Sequence, residues 1–249
     1  MLAVWSLLSR EMRGFYRQRS RVVGAVLQPL IFWLLLGTGM NASFRPAGTD
    51  ETFASYFFPG ILLMVVMFTA IFATITIIDD RREKFLQGVM VAPVSAAALA
   101  GGKTLGGAVL ATIQGLLLAL LAWTPMLPGT PDPVGFALLV GWLFVIGCQL
   151  TAVGVIMAWP MTSTHGYHAL MSVFLFPLWM FSGAAFPVDG TPAWLRAIMT
   201  VNPLTHDLEV MRALYHYGEQ PVPMVSVAVA VAVTAIAFGA AVALVARRK

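Results

Sequence analysis

Residues Asp79–Ser95 read DDRREKFLQGVMVAPVS and separate two long apolar runs. The first six of these residues are all charged, whereas charged residues make up only 10% of the 249-residue chain. A block of this kind is expected in water, because moving unpaired charges into an apolar medium is costly. The apolar runs on either side are therefore expected to cross a membrane.

The same stretch predicts a short amphipathic helix. Asp80 and Glu83 have the spacing of a capping box, which predicts a helix start at Asp80. Pro93 is expected to end this helix, and Ser95 to cap the next one. Apolar residues recur on one helical face at three- and four-residue spacing, namely Phe85, Leu86, Val89 and Met90. A helix with such a stripe is expected to dock against a partner.

The composition is that of an integral membrane protein. Hydrophobic residues make up 59% of the chain, and the charged fraction is well below the roughly 25% of soluble domains. The length suits a single domain over residues 1–249. The single cysteine, Cys148, excludes an internal disulfide and a cysteine zinc site. The net charge of +4 does not indicate nucleic-acid binding, because the basic residues are distributed by membrane side.

Six apolar runs are close to or above the roughly 20 residues that cross a hydrocarbon core as a helix. They cover residues 22–40, 57–78, 104–123, 134–159, 167–186 and 222–246. Residues 1–21 place Leu2, Trp5 and Leu8 on one helical face, with the arginines largely off it. This pattern predicts an amphipathic helix in the membrane interface. The sequence thus predicts an all-α membrane protein with six transmembrane helices.

Lysine and arginine are divided unequally between the two sides of this arrangement. Twelve fall on the side of both termini and of the Asp79 stretch, and three fall on the other side. Cytoplasmic segments carry such an excess, so both termini are expected in the cytoplasm.

The outer stretch after the fifth span contains two short amphipathic patterns. Trp194 belongs to the first pattern. Asn202 followed by Pro203 predicts an N-cap with proline at the first helical position, which opens the second. The two patterns are expected to form re-entrant or interfacial helices over the outer mouth, with an ordinary extracellular loop as the alternative.

Several polar groups need a structural interpretation. Gln114 and Gln149 lie at membrane depth and are expected to hydrogen-bond between helices, with the lining of a substrate path as the alternative. Lys103 is expected to snorkel to the cytoplasmic edge. Asp207 is expected on a solvated helix face beside a Glu209–Arg212 pair, with an outer metal or acid/base cluster of His206, Asp207 and Glu209 as the alternative.

Catalytic, cofactor and metal sites are not expected. Residues Ala97–Thr104, AALAGGKT, end like a phosphate-binding loop, but Ala97 stands where that motif needs glycine. His165 and His168 could face one metal, although no third ligand is near in the sequence. The acids and histidines are all interpreted as lying at the interface, which argues against an intramembrane enzyme.

A translocation path is expected along apolar side chains of the second and fifth spans. An all-apolar core or a lipid-facing surface is the alternative interpretation of the same residues. The candidates are Met64, Phe68, Phe72, Phe174 and Trp179.

Four stretches, in order along nearly the whole chain, resemble the permease subunit of ABC-2 type transporters. They are QPLIFWLLLG (28–37), FFPGIL (57–62), DRREKFLQGVMVAPVS (80–95) and FSGAAFPVDGTPAWLRAIMTVNPLTHDLEVMRALYHYG (181–218). The third stretch is most similar to the drug and lipo-oligosaccharide export branch. It departs from that branch at Lys84, where glycine is common, and at Ala96, where a basic residue is usual.

The resemblance implies the permease of an ATP-driven exporter in the inner (plasma) membrane. It implies two permeases, expected as a homodimer with a heterodimer as the alternative, and two ATPase subunits that hold ATP and Mg. Residues 81–91 would be the coupling helix seated in the ATPase, with Glu83 as a polar anchor, and residues 1–21 the elbow helix. The implied substrate is an amphipathic drug, lipid or lipo-oligosaccharide-like molecule. A membrane scaffold or assembly factor of the same topology is the alternative function.

Overall fold

The computed structural model describes residues 2–17, 19–40, 52–83, 94–123, 132–188, 190–219 and 221–247. These residues form ten α-helices and contain no β-strand. The helices are α1 (Leu2–Arg17), α2 (Arg19–Met40), α3 (Phe53–Ala73), α4 (Ile75–Arg82), α5 (Ala96–Ala119), α6 (Pro133–Ala158), α7 (Thr164–Trp179), α8 (Ala193–Val201), α9 (Pro203–Tyr215) and α10 (Met224–Ala246). A 3-10 turn, Leu120–Trp123, extends α5, and a π-helical turn, Met180–Ala184, extends α7.

Six helical segments are long and apolar enough to cross a membrane, as predicted. These spans 1 to 6 are Val23–Met40, Phe53–Arg82, Ala96–Trp123, Pro133–Ala158, Thr164–Ala184 and Met224–Ala246. Spans 2 and 3 differ most from the predicted bounds: span 2 is longer at both ends, and span 3 begins at Ala96. The early start of span 3 follows from Ser95, whose Oγ accepts from the Ala98 amide at 3.1 Å and caps the helix as predicted. The chain is thus a multi-pass membrane protein.

Span 2 forms the centre of the bundle. It packs against spans 1, 3 and 4 and against α9, and the side chains from Phe57 to Met67 are all buried. A helix that is apolar on every face is suited to this position. Thr69 Oγ1 donates to Gln114 Oε1 at 2.5 Å and joins spans 2 and 3 at membrane depth. The prediction of an interhelical bond at Gln114 is therefore confirmed.

Small residues bring spans 3 and 4 close together. A Cβ added at Gly107 would lie 2.5 Å from Thr151 Cγ2, and one at Gly147 would lie 3.0 Å from Ala108 Cα. Such contacts favour association in a membrane, because packing there is not driven by water. Span 6 also carries a series of small residues, Ala235, Gly239 and Ala243, but these lie on a face that is exposed within this chain, and no atom of the described residues lies within 4 Å of the Gly239 Cβ position.

Two spans are interrupted. Span 2 breaks at Thr74, between α3 and α4, where Thr74 Oγ1 lies 2.5 Å from the hydroxyl of Tyr167 in span 5. Span 5 ends in the π-helical turn shortly after Pro177, and Gly183 within that turn has φ of +85°. A left-handed conformation of this kind favours glycine. The interruption leaves carbonyl groups free to bind the outer helices.

Candidate functional site

Four charged side chains meet where α1 packs against the ends of spans 2 and 3. Lys103 Nζ lies 2.6 Å from Asp80 Oδ2 and also donates to the carboxylate of Glu11. Arg10 Nη2 lies 2.5 Å from Asp80 Oδ1. Glu11, Asp80 and Lys103 are each at most 4% exposed. We call these four residues the charged junction; its two cations and two carboxylates cancel in charge.

Thr76 adds hydrogen bonds to the charged junction. Its hydroxyl donates to Glu11 Oε2 at 2.8 Å and accepts from Lys103 Nζ at 3.2 Å. Buried charges are tolerated when they are paired and hydrogen-bonded in this way, and losing one partner leaves the other uncompensated. The charged junction therefore favours one relative arrangement of α1, span 2 and span 3.

Small residues at the start of span 3 allow α1 to approach. A Cβ at Gly106 would lie 3.0 Å from Glu11 Cβ, so a larger side chain would push α1 away. The prediction that Lys103 snorkels to the membrane edge is wrong, because its ammonium group finds two carboxylates inside the protein.

One edge of the charged junction is accessible to solvent. The side chain of Arg10 is 39% exposed and faces a cleft of about 700 Å³ between α1 and the end of span 2. The hydrogen bond to Asp80 raises the pKa of the Arg10 guanidinium above its usual value. Arg10 therefore stays charged although it lies beside buried groups.

Asp80 lies in the last turn of α4 and does not start a new helix. The helix runs without interruption from Ile75 to Arg82, and the Glu83 amide then donates to Asp79 O at 2.9 Å. The predicted N-cap at Asp80 is wrong, because Arg10 and Lys103 occupy its carboxylate. The expectation that the whole charged block lies in water is wrong at this residue for the same reason.

The opposite side of the same turn is bound to the segment after span 4. Arg81 donates to Met161 O at 2.7 Å and to Trp159 O, and its guanidinium lies 5.6 Å from the centre of the Trp159 ring. Arg82 Nε donates to Thr162 O at 3.3 Å. These carbonyls follow the C-terminus of α6, where the helix dipole favours a cation. The end of span 2 is thus held on both sides.

The predicted ATPase-docking stripe of Phe85, Leu86, Val89 and Met90 lies outside the described residues. Its helical structure and its contacts stay predictions. Glu83, the predicted polar anchor, is described; it directly follows α4 and is exposed.

At the other end of the bundle, α9 is fixed to the interrupted span 5. Asn202 Oδ1 accepts from the Leu204 amide at 3.0 Å, and Pro203 takes the first helical position, so the predicted cap is confirmed. Asn202 Nδ2 also donates to Leu178 O at 2.6 Å. Trp194, on α8, is 66% exposed.

Arg212 makes a second attachment to span 5. Its Nη2 donates to Gly183 O at 2.7 Å, and its guanidinium lies 4.3 Å from the centre of the Tyr56 ring. The Tyr56 hydroxyl donates to the same carbonyl at 3.0 Å. Glu209 instead accepts from Ser226 Oγ at 2.5 Å. The predicted Glu209–Arg212 pair is therefore wrong, because each residue binds a different helix.

Asp207 lies inside the bundle and not on a solvated face. It is 0% exposed, and its Oδ2 accepts from Gln149 Nε2 in span 4 at 2.8 Å. Trp142 Nε1 donates to the Asp207 backbone carbonyl at 3.1 Å, and Thr234 Oγ1 in span 6 donates to Gln149 Oε1 at 3.2 Å. Gln149 therefore bonds between helices as predicted, whereas the solvated position predicted for Asp207 is wrong.

The candidate path residues occupy different environments. Met64 and Trp179 are buried, and Trp179 Nε1 donates to Gly60 O at 2.7 Å. The rings of Phe68 and Phe72 stack with centroids 5.7 Å apart. Phe174 is exposed and lines an apolar groove between span 5 and the outer helices. The described structure does not gather the five residues around one cavity, and the path stays a prediction.

The histidines do not form a recognisable metal site in the described part of the chain. His165 and His168 are both exposed, and the ring of His168 packs edge-on against Phe72 with centroids 5.6 Å apart. Within the described ranges, no three His, Cys, Asp or Glu side chains lie close enough to share a metal ion.

Comparison with known protein families gives a match over nearly the whole chain. The model of the ABC-2 type transporter family matches residues 2–216, which include α1, the charged junction and α9. The chain belongs to the ABC-2 type transporter family. The resemblance seen in the four sequence stretches is thereby confirmed, and the protein is a membrane transporter subunit.

Named relatives are distant in sequence. The chain is 27% identical over 215 residues to a transport permease of Cyanophora paradoxa, ycf38, covering 85% of this chain and 73% of the relative. It is 24% identical over 216 residues to the daunorubicin resistance ABC transporter permease protein DrrB1 of Streptomyces coeruleorubidus, covering 84% and 73%. It is 22% identical over 159 residues to YbhR of Escherichia coli K12, named as a multidrug ABC transporter permease, covering 63% and 42%.

Proposed function

We propose that this chain is the permease subunit of an ATP-driven exporter and that residues 84–93 receive the movement of a separate ATPase subunit. The observation that carries the proposal is the fixation of the turn just before that segment. The charged junction holds this turn to α1 and span 3, while Arg81 and Arg82 hold it to the segment after span 4.

A displacement of residues 84–93 would therefore act on several spans together. Paired buried charges resist separation, and bidentate arginine contacts restrict rotation of the end of span 2. The bundle would then move as connected rigid parts, which is a common way to open a path on alternate sides. In this scheme the chain has no catalytic residues of its own, and ATP and Mg are bound by the partner.

Substitutions on the predicted stripe test the coupling. Phe85→Asp with Leu86→Asp should abolish export and co-purification of the ATPase while the protein still inserts in the membrane. Gln87→Asp is the matched control, because it adds a carboxylate in the same segment but mostly off the stripe. Export and ATPase binding that survive the double substitution would refute the coupling proposal.

The proposed substrate is an amphipathic drug, lipid or lipo-oligosaccharide-like molecule. The names of two relatives, a daunorubicin resistance permease and a multidrug permease, support this class. ATPase activity of the reconstituted complex should rise with such compounds, and mass spectrometry of the purified complex should identify the bound molecule. A flat response across drugs and lipids would favour the scaffold function.

The proposed assembly is a homodimer in the inner (plasma) membrane with both termini in the cytoplasm. Within this chain spans 1 and 6 are mostly exposed, which suits contact with lipid or with a second copy. Cysteine cross-linking at Ile236, which is 71% exposed on span 6, tests the dimer in a Cys148→Ala background. Labelling from either side of the membrane at the termini tests the orientation.

A further inference from the structure

Asp207 carries a carboxyl group that the transport proposal does not use. It is fully buried on α9, which packs against spans 4 and 6. Oδ2 accepts a hydrogen bond from Gln149, whereas Oδ1 is buried and has no hydrogen-bond partner among the residues that the structure describes. The two oxygens of one carboxyl group are therefore in different situations.

The surroundings of Asp207 supply no compensating cation among the described residues. The elements packed against α9 are spans 2, 4 and 6, the π-helical turn and α8. These elements and α9 itself carry several titratable or charged side chains near this end of the bundle; groups at the far ends of spans 2 and 6 are left aside. They are Tyr56, Asp132, Cys148, Arg196, His206, Glu209, Arg212 and Tyr215. None of these forms a hydrogen bond or an ion pair with Asp207.

The nearest arginine in the sequence is already bound elsewhere. Arg212 lies against Gly183 O and the ring of Tyr56, on the attachment to span 5. An isolated carboxylate in an apolar interior is costly, and such a group takes up a proton in preference. Burial accordingly raises the pKa of the Asp207 carboxyl to about 7.

We propose that Asp207 is a proton-binding site that holds α9 in the bundle. The proton lies on Oδ1, since Oδ2 already accepts from Gln149. While α9 is packed, the carboxyl group is neutral; when α9 moves toward water, the group is hydrated and releases its proton. A ligand that binds one state better shifts the population toward that state, so protons favour the packed position of α9. A rise in pH toward neutrality therefore favours its release.

Infrared spectroscopy of the full chain in lipid nanodiscs tests the resting protonation. At about pH 6, ordinary aspartate and glutamate side chains are ionised, so a protonated carboxyl group stands out by its higher-frequency carbonyl stretch. This band should be present in the unmodified protein, absent in Asp207→Asn and retained in Glu209→Gln. Glu209 is the matched control because it lies two residues away with a side chain that is 45% exposed. A spectrum at this pH without an Asp207-dependent band would overturn the proposal.

Thiol labelling tests the link between the proton and the movement of α9. Val210→Cys, in a Cys148→Ala background, places a reporter at a position that is 1% exposed on α9. Below about pH 7, where the packed carboxyl group still holds its proton, maleimide labelling should rise with pH more steeply when Asp207 is present than when Asp207→Asn is added, by up to about tenfold per pH unit. Above about pH 7 the two profiles should run parallel. The same thiol is used in both proteins, so its own ionisation cancels in the ratio.

Two outcomes of the labelling experiment contradict the proposed release. Parallel pH profiles below about pH 7, with and without Asp207→Asn, would show that the proton is not linked to exposure of α9. No labelling of Val210→Cys at any pH would show that α9 does not leave its packed position. Neither experiment requires the ATPase or a transported substrate, so each can fail independently of the exporter function.

Discussion

Replacing Lys103 by methionine should destabilise the protein through the charged junction. Methionine keeps much of the side-chain volume but removes the ammonium group that bridges Glu11 and Asp80. Breaking a buried ion pair by removing one partner typically costs 3–5 kcal/mol. Asp80 retains Arg10 at 2.5 Å, and Glu11 retains the Thr76 hydroxyl at 2.8 Å, so we expect the lower end, about 3 kcal/mol.

Thermal unfolding of the full chain in one detergent measures this loss. For a chain of this size, 1 kcal/mol corresponds to roughly 2–4 °C, so the midpoint should fall by roughly 6–12 °C. Arg13→Met is the matched control, since Arg13 is an exposed cation on α1, the helix that carries Arg10 and Glu11 of the charged junction. Its removal should change stability by no more than about 0.5 kcal/mol.

A second substitution distinguishes lost pairing from lost packing. Adding Glu11→Gln to Lys103→Met restores neutrality, because Arg10 and Asp80 then form the remaining pair. Residues in one ion-pair network typically show coupling of about 0.5–3 kcal/mol, so the double variant should recover part of the lost stability. If Lys103→Met unfolds like Arg13→Met, or if the double variant is no more stable than the single one, the electrostatic account of the junction is wrong.

Three further predictions concern the bundle and α9. Gly107→Ala should lower the unfolding midpoint, because the new Cβ would lie 2.5 Å from a side-chain atom of Thr151, and overpacking typically costs 1–3 kcal/mol. The control Gly141→Ala should leave the midpoint unchanged, because there is open space at its Cβ position. Arg212→Lys should increase protease cleavage near α9, since lysine cannot hold Gly183 O with the same planar group; unchanged cleavage contradicts this. Because packing raises the pKa of Asp207 from about 3.8 to about 7, the folded state binds the proton more tightly. The stability of the unmodified protein relative to Asp207→Asn should therefore fall as the pH rises from about 4 to about 7, and the difference should stay level above about pH 7. Unfolding midpoints of both proteins at stepped pH would show this. A difference between the two midpoints that does not change with pH would contradict the prediction.

The elements that the sequence predicts well depend on neighbours along the chain. Apolar runs of membrane length give the six spans. The caps at Ser95 and Asn202 involve side chains and amides only two or three residues apart. Such signals are contained in a short window and need no knowledge of tertiary contacts.

The predictions that failed concern charged residues whose partners are distant in the sequence. Lys103 pairs with Glu11 across 92 positions, and Asp207 bonds to Gln149 across 58. Charged residues usually lie in water unless a partner inside the protein pairs with them. The residues next to Asp80, Lys103 and Asp207 in the sequence do not indicate such a partner. The sequence does contain one signal of the pairing at Lys103. Lys103 is a single cation within a run of mostly alanine and glycine, whose side chains are too small to shield its charge.

Arg81 and Arg82 bind main-chain carbonyls and not side chains at the segment after span 4. Any residue can present a carbonyl, so the exposed side chain of Thr162 is free to change during evolution without loosening the end of span 2. Only the two arginines, and not the residues that supply the carbonyl groups, must keep their identity for this attachment. This turn can therefore diversify among permeases while the two arginines keep the same attachment.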